Sequence, residues 1–169
     1  MARTQTQKIA EAGLLSALGV LAIAVFRVPG PGGTAYFHLG EVVIVTMAIL
    51  LGKKSGAFVG AVSSAIADVL LGAALWAPFS LVIHGLEGYA IGALADGKGG
   101  RRDLLAAGAG LSIMVAGYTL TAGLLYGAPM MPVEFVGDLF QGAMGLGLSF
   151  AFLKALLYRF PRLAQRGRA

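Results

Sequence analysis

The spacing of apolar runs and cations constrains this chain more than any single motif does. Six runs, at residues 9–26, 35–51, 56–75, 77–95, 104–126 and 135–158, carry no more than two charged residues each. Each comes near the roughly 20 residues with which an α-helix crosses about 30 Å of hydrocarbon. Threaded as six spans with the N-terminus inside, the chain places Arg3, Lys8, Lys53, Lys54, Lys98, Arg101, Arg102, Lys154, Arg159, Arg162, Arg166 and Arg168 on one side. That is twelve of its thirteen Lys and Arg residues, with only Arg27 opposite. Short-loop Lys/Arg bias sets membrane orientation. The expected fold is therefore an all-α integral membrane protein, a single domain over residues 1–169 with six transmembrane helices and both termini cytoplasmic.

Composition agrees. Hydrophobic residues make up 57% of the chain and charged ones 12%, and the mean hydropathy is +0.81, whereas soluble domains carry about a quarter charged residues. The net charge of +5 is accounted for by basic juxtamembrane residues against an anionic leaflet, so no nucleic-acid partner is expected. Cysteine is absent, which removes disulfide and thiolate chemistry. The run 9–26 is long for a signal-peptide core and lacks a small-residue cleavage site before a polar mature chain, so it is expected to be a retained helix.

Residues 52–55 (Gly-Lys-Lys-Ser) form a tight inside turn between the second and third spans. Residues 96–103 form the other inside loop, whose glycines break the helix and whose charges are expected to be solvated. The outer loops differ in character. Residues 27–34 are rich in Gly and Pro and lead into Tyr36, Phe37 and His38, the second loop holds Gly72, Trp76 and Pro78, and the third holds Gly127, Pro129 and Pro132. Small residues recur at helical spacing. Gly56, Gly60, Ser64, Asp68 and Gly72 share one face, as do Ser80, His84, Gly88 and Gly92. Glu134, Asp138, Gln141, Gly142, Gly145 and Ser149 form a third stripe. Helices in lipid associate through such close-packing faces, so all three point into the bundle. Ala12–Ser16 and Gly13–Ala17 are small-residue pairs on the first helix, suited either to internal packing or to a partner helix.

Ionisable side chains inside spans are costly and face an interior or a cavity. Glu41, Asp68, Glu87, Glu134 and Asp138 all fall in the outer half of the bundle, Glu87 deepest and His84 one turn above it. That asymmetry points to a cavity open to the outside. The candidate ligand-binding residues are Tyr36, His38, Glu41, Asp68, Trp76, His84, Glu87 and Asp138. Simpler roles compete for several of them: a helix-bridging hydrogen bond for Asp68, an interfacial anchor for Trp76 and Tyr36, and a solvated carboxylate for Asp138. Arg27 can snorkel or meet an anionic group. A phosphate-binding Gly-rich loop is absent, as is a Gly-x-Ser-x-Gly elbow. The two histidines lack metal-ligand spacing, so no metal and no bound cofactor are expected.

Five stretches taken in order resemble the substrate-binding S component of energy-coupling factor (ECF) vitamin transporters: His38-Leu39-Gly40-Glu41, residues 51–56 (LGKKSG), residues 67–72 (ADVLLG), Trp76-Ala77-Pro78 and residues 84–88 (HGLEG). Each motif alone is weak; the order and spacing carry the likeness, and length and topology extend it over nearly the whole chain. Two positions depart from the pattern, with His84 where relatives often carry lysine and Lys53-Lys54 in place of a Gly-Pro turn. The Met-His amino-terminal arm of the metal-transporting members is missing, which argues against a metal as cargo. The resemblance implies a bacterial or archaeal plasma-membrane protein that captures a micronutrient on the outside. It further implies docking through Ala12, Gly13, Ser16 and Ala17 on a transmembrane T component carrying two ATPases, which hydrolyse the ATP. The carboxylate-rich cavity favours a neutral or weakly basic heterocycle, such as hydroxymethylpyrimidine or a pyridoxine-like ring. The second reading is a small membrane enzyme using His84 and Glu87 as an acid–base pair.

Overall fold

The computed structural model describes residues 4–29, 36–161 and 163. In chain order it contains α1 (Gln5–Val25), β1 (Arg27–Pro29), β2 (Tyr36–His38), α2 (Gly40–Leu51), α3 (Lys53–Leu70), α4 (Ala77–Leu94), α5 (Arg101–Tyr126), a 3-10 turn (Ala128–Met130) and α6 (Met131–Arg159). A capping box starts α1, with Thr4 and Gln7 exchanging side-chain and backbone hydrogen bonds. Proline near the first turn starts α4 and α6. Gly52, at φ +82°, makes the turn that joins α2 directly to α3.

Helix α2 sits in the middle of the bundle, packed on α1, α3, α4 and α6, while α4, α5 and α6 follow one another around it. Nine of its twelve residues are buried, which is why it reads as apolar all round rather than amphipathic. Val45, Ala48, Ile49 and Leu50 form the main core with Ile91, Ala107 and Leu153. The outside of the bundle is apolar as well. Leu14 and Leu21 on α1, Leu120 and Leu124 on α5, and Val136 and Phe140 on α6 are all exposed, a surface suited to lipid rather than water. By length and apolarity alone, three helical segments among the described residues can cross a membrane: Gln5–Val25, Arg101–Tyr126 and Ala128–Arg159.

The tightest contact joins α3 and α4 through their glycines. A Cβ on Gly56 would lie 2.6 Å from the Gly88 carbonyl oxygen, and one on Gly60 would collide with the His84 carbonyl. Gly88 and Gly92 meet the backbone of Gly56 and of the Gly52–Lys53 turn in the same way. The Ser64 hydroxyl adds a bond to the Ser80 carbonyl at 3.1 Å. The small-residue stripes read from the sequence are thus the surfaces on which the helices meet.

Three expectations are corrected. The first outer connection is not irregular up to a helix at residue 35; it includes an antiparallel ribbon, with Arg27 opposite His38 and Val28 opposite Phe37. Consequently α2 has only 12 residues, about 18 Å at 1.5 Å per residue, and falls short of a full crossing. Three-residue strands beside Gly and Pro are too short to show a period, so the sequence could not place this boundary. The third correction concerns the inside loop read at residues 96–103, where a carboxylate in the first turn of α5 is buried rather than solvated. Asp103 is 0% exposed because its carboxylate accepts the backbone N–H groups of Asp96, Gly97 and Gly99 at 2.6, 3.0 and 2.6 Å. It satisfies donors that the glycine turn would otherwise leave orphaned.

Candidate ligand-binding cavity

A cavity of about 590 Å³ opens at the end of the bundle that holds the β-ribbon, away from Lys53, Lys98 and Arg159. Its volume is that of a small-molecule site. The ribbon contributes Arg27 and His38, and α3 contributes Asp68 from its last turn. Trp76, Ser80 and His84 come from α4 and the turn before it, Met114, Tyr118 and Tyr126 from α5, and Glu134, Asp138 and Gln141 from α6. One wall is aromatic. The Trp76 ring lies 5.7 Å from Tyr118 and 5.9 Å from Tyr126 between centroids, and His84 lies 5.4 Å from Tyr118. Trp76 Nε1 donates to the Tyr126 hydroxyl at 3.1 Å, and the Tyr118 hydroxyl donates to Ser80 Oγ at 2.6 Å. These bonds fix the rings as a rigid platform.

Beneath this wall lies a buried polar cluster. His84 Nδ1 sits 2.6 Å from Glu87 Oε2 and 3.8 Å from Glu41 Oε1, and all three residues are at most 3% exposed. Nδ1 is engaged by Glu87, so the other ring nitrogen, Nε2, is the one His84 can offer to a ligand. Glu41 is held from both sides. Gly145 on α6 leaves room for its side chain, and the Ser149 hydroxyl donates to its backbone carbonyl at 3.3 Å. The ligand-type atoms of Glu41, His84 and Glu87 lie within 4.8 Å of one another, a donor set that spacing along the sequence could not reveal. The 2.6 Å His84–Glu87 separation is nevertheless that of a direct hydrogen bond. It is shorter than the about 3.3 Å between two ligands on a tetrahedral zinc with 2.0–2.1 Å bonds.

Of the residues picked out from sequence, His38, Asp68, Trp76, His84 and Asp138 line the cavity, and Glu41 and Glu87 support it from behind His84. The backbone of Tyr36 is in β2 and its side chain lies outside the described residues. Oδ2 of Asp68 and Oδ2 of Asp138 are buried and have no hydrogen-bond partner among the described residues. Ser80, Tyr118, Tyr126 and Gln141 were missed as lining residues. Ser80 and Gln141 lie on the polar stripes of α4 and α6, which carried the signal. A lone tyrosine in an apolar run looks like an interfacial anchor, so Tyr118 and Tyr126 had none. On α1, Gly13 and Ala17 face outward and Ala12 is half-buried, whereas Ser16 is buried.

A family model described as "ECF-type riboflavin transporter, S component" matches residues 3–158. The chain belongs to that family. The S component is also 37% identical over 135 residues to an uncharacterised Pyrococcus woesei protein, covering 77% of this chain and 90% of that one. It is 34% identical over 102 residues to the thiamine precursor transporter HmpT of Lactococcus lactis, covering 60% of this chain and 57% of that one. Family and relative are membrane transporter components, not enzymes, which overturns the acid–base catalytic reading of His84 and Glu87. The chain is a vitamin-type substrate-binding subunit of a transporter.

Proposed function

We propose that this S component captures a neutral or weakly basic vitamin-like heterocycle, of the hydroxymethylpyrimidine or pyridoxine kind, in the cavity at the ribbon end. The observation that carries this reading is the aromatic wall of Trp76 and Tyr118 standing over the buried His84–Glu87 pair. A planar ring stacks on that wall while a polar edge meets His84 Nε2, and the stack adds to what burial alone contributes. Asp68, Glu134 and Asp138 surround the site, with Arg27 as the lining cation. Like charges brought together at low dielectric are costly, so polyanionic cargo is disfavoured. The thiamine-precursor relative supports a pyrimidine.

The rest of the proposed cycle rests on the family. All six helices lie in a bacterial or archaeal plasma membrane with both termini cytoplasmic and the ribbon end outside, as the twelve-to-one cation bias favours. The chain docks on a transmembrane T component with two ATPase subunits. ATP is hydrolysed there, and this chain binds no cofactor or metal of its own.

His84→Ala and Glu87→Gln are each expected to weaken hydroxymethylpyrimidine binding at least tenfold, about 1.4 kcal/mol. Removing one member of a buried pair leaves the other, or the ligand atom it oriented, without a partner. Calorimetric titration of the purified, folded variants checks this. Unchanged affinity in both, or tight binding of a dicarboxylate such as folate with weak binding of pyrimidines and pyridines, sinks the reading.

A further inference from the structure

The hydrogen bonds of His38 fix the orientation of a second cavity side chain, Gln141. The backbone N–H of Gly40 donates to His38 Nδ1 at 3.2 Å. An imidazole nitrogen that accepts carries no proton, so the ring proton of His38 must sit on Nε2. His38 Nε2 lies 3.1 Å from the Gln141 side-chain amide. Nε2–H is a donor and needs an acceptor, and the only acceptor a glutamine amide has is its oxygen. Which amide atom is nitrogen is assigned from the hydrogen-bond network rather than observed, and this network assigns the oxygen to the His38 side. The NH₂ group is then turned the other way. Its side chain lines the cavity, and His38 is its one side-chain partner among the described residues.

We propose that Gln141 is a specificity-determining residue of the S component, presenting a fixed N–H donor that selects ligands with a ring nitrogen or carbonyl facing α6. This rests on the reading of the cavity as a heterocycle site and adds a complementary edge to it. With Nδ1 engaged by Glu87, His84 Nε2 accepts, while Gln141 donates. A ligand with an amino group on one side and an unprotonated ring nitrogen on the other satisfies both. Without the His38 clamp the amide could turn over and accept instead, and the discrimination would be lost. A buried donor left without an acceptor costs enough to reject an analogue that differs by a single atom.

The test is a ligand-by-protein cycle on the detergent-purified full chain. The probes are hydroxymethylpyrimidine and its two deaza analogues, in each of which one ring nitrogen is replaced by C–H. Wild type is expected to bind one analogue at least tenfold more weakly than the parent. In Gln141→Met that ratio should fall to within about twofold, because the donor is gone while the side-chain length is kept. Gln141→Glu keeps the acceptor for His38 and puts a second acceptor where the NH₂ was, so it should fold and lose at least tenfold in parent binding. His38→Phe, which frees the amide to turn over, should also shrink the ratio. A ratio unchanged in Gln141→Met, or equal weakening of parent and both analogues, overturns the assignment of Gln141 and leaves the cavity reading standing. Failure of wild type to bind any of the three pyrimidines overturns the cavity reading, and this inference with it.

Discussion

Gly88→Leu is expected to prevent recovery of folded protein, or to lower the unfolding midpoint in detergent by about 10 °C or more. Position 88 has no room to give. A Cβ there would collide with the carbonyl oxygen of Gly56, and the atoms behind that oxygen are the backbone of α3 rather than the end of a mobile side chain. Overpacking against yielding side chains typically costs 1–3 kcal/mol. Here the helices themselves must separate, and each kilocalorie shifts the midpoint by about 2–4 °C in a chain of this size. Separation also pulls the His84–Glu87 pair on α4 away from α2 and α3. Gly108→Leu is the control, because a Cβ at Gly108 meets nothing within 4 Å and the residue lies on the same bundle. Equal midpoints for the two variants in a thermal scan would show that the α3–α4 contact is looser than described.

The second large effect concerns assembly. Gly13→Trp and Ala17→Trp should abolish co-purification with the T component and ATPases, and with it uptake, while leaving ligand affinity of the isolated subunit unchanged within about twofold. Both positions are exposed, and nothing lies within 4 Å of a Cβ at Gly13, so the isolated bundle accommodates the bulk. A partner helix approaching a small-residue face cannot. Ser16 and Gly19 turn the other way, with Gly19 close against Ser63 on α3, so the proposed docking surface narrows to Gly13, Ala17 and the half-buried Ala12. The cavity is lined from α1 only near its far end, by Ile23, which separates the two functions spatially. Assembly at wild-type levels would return this face to lipid contact. Lost ligand binding with intact assembly would show it to be internal packing.

Much of this was legible because membrane packing writes itself in small residues. Gly56, Gly60, Gly88 and Gly92 could be placed on facing stripes without coordinates, since only glycine permits such backbone approach. His84 and Glu87 stood out because an ionisable pair inside an apolar run has no cheap alternative to pairing. Glu41 joined them only in three dimensions, across helices that the sequence does not order. The ribbon was hidden for a different reason. Strand pairing between residues 27–29 and 36–38 is a relation between two segments, and neither has a periodicity of its own. Asp103 was misjudged because a charge in a glycine loop ordinarily meets water, whereas here three backbone N–H groups take the place of solvent. Gln141 lay on a stripe already marked, but its meaning depended on which proton His38 carries.

Trp76 offers the most direct measurement of the central claim, that the ribbon-end cavity binds a vitamin-like heterocycle. It is the sole tryptophan and lines the cavity between Tyr118 and Tyr126, so fluorescence excited selectively at the indole reports on that wall. Titration with hydroxymethylpyrimidine should give a saturable change at one ligand per chain, and the midpoint should shift at least tenfold to higher concentration in His84→Ala. No saturable change with either hydroxymethylpyrimidine or pyridoxine, in protein shown to be folded, would contradict the account.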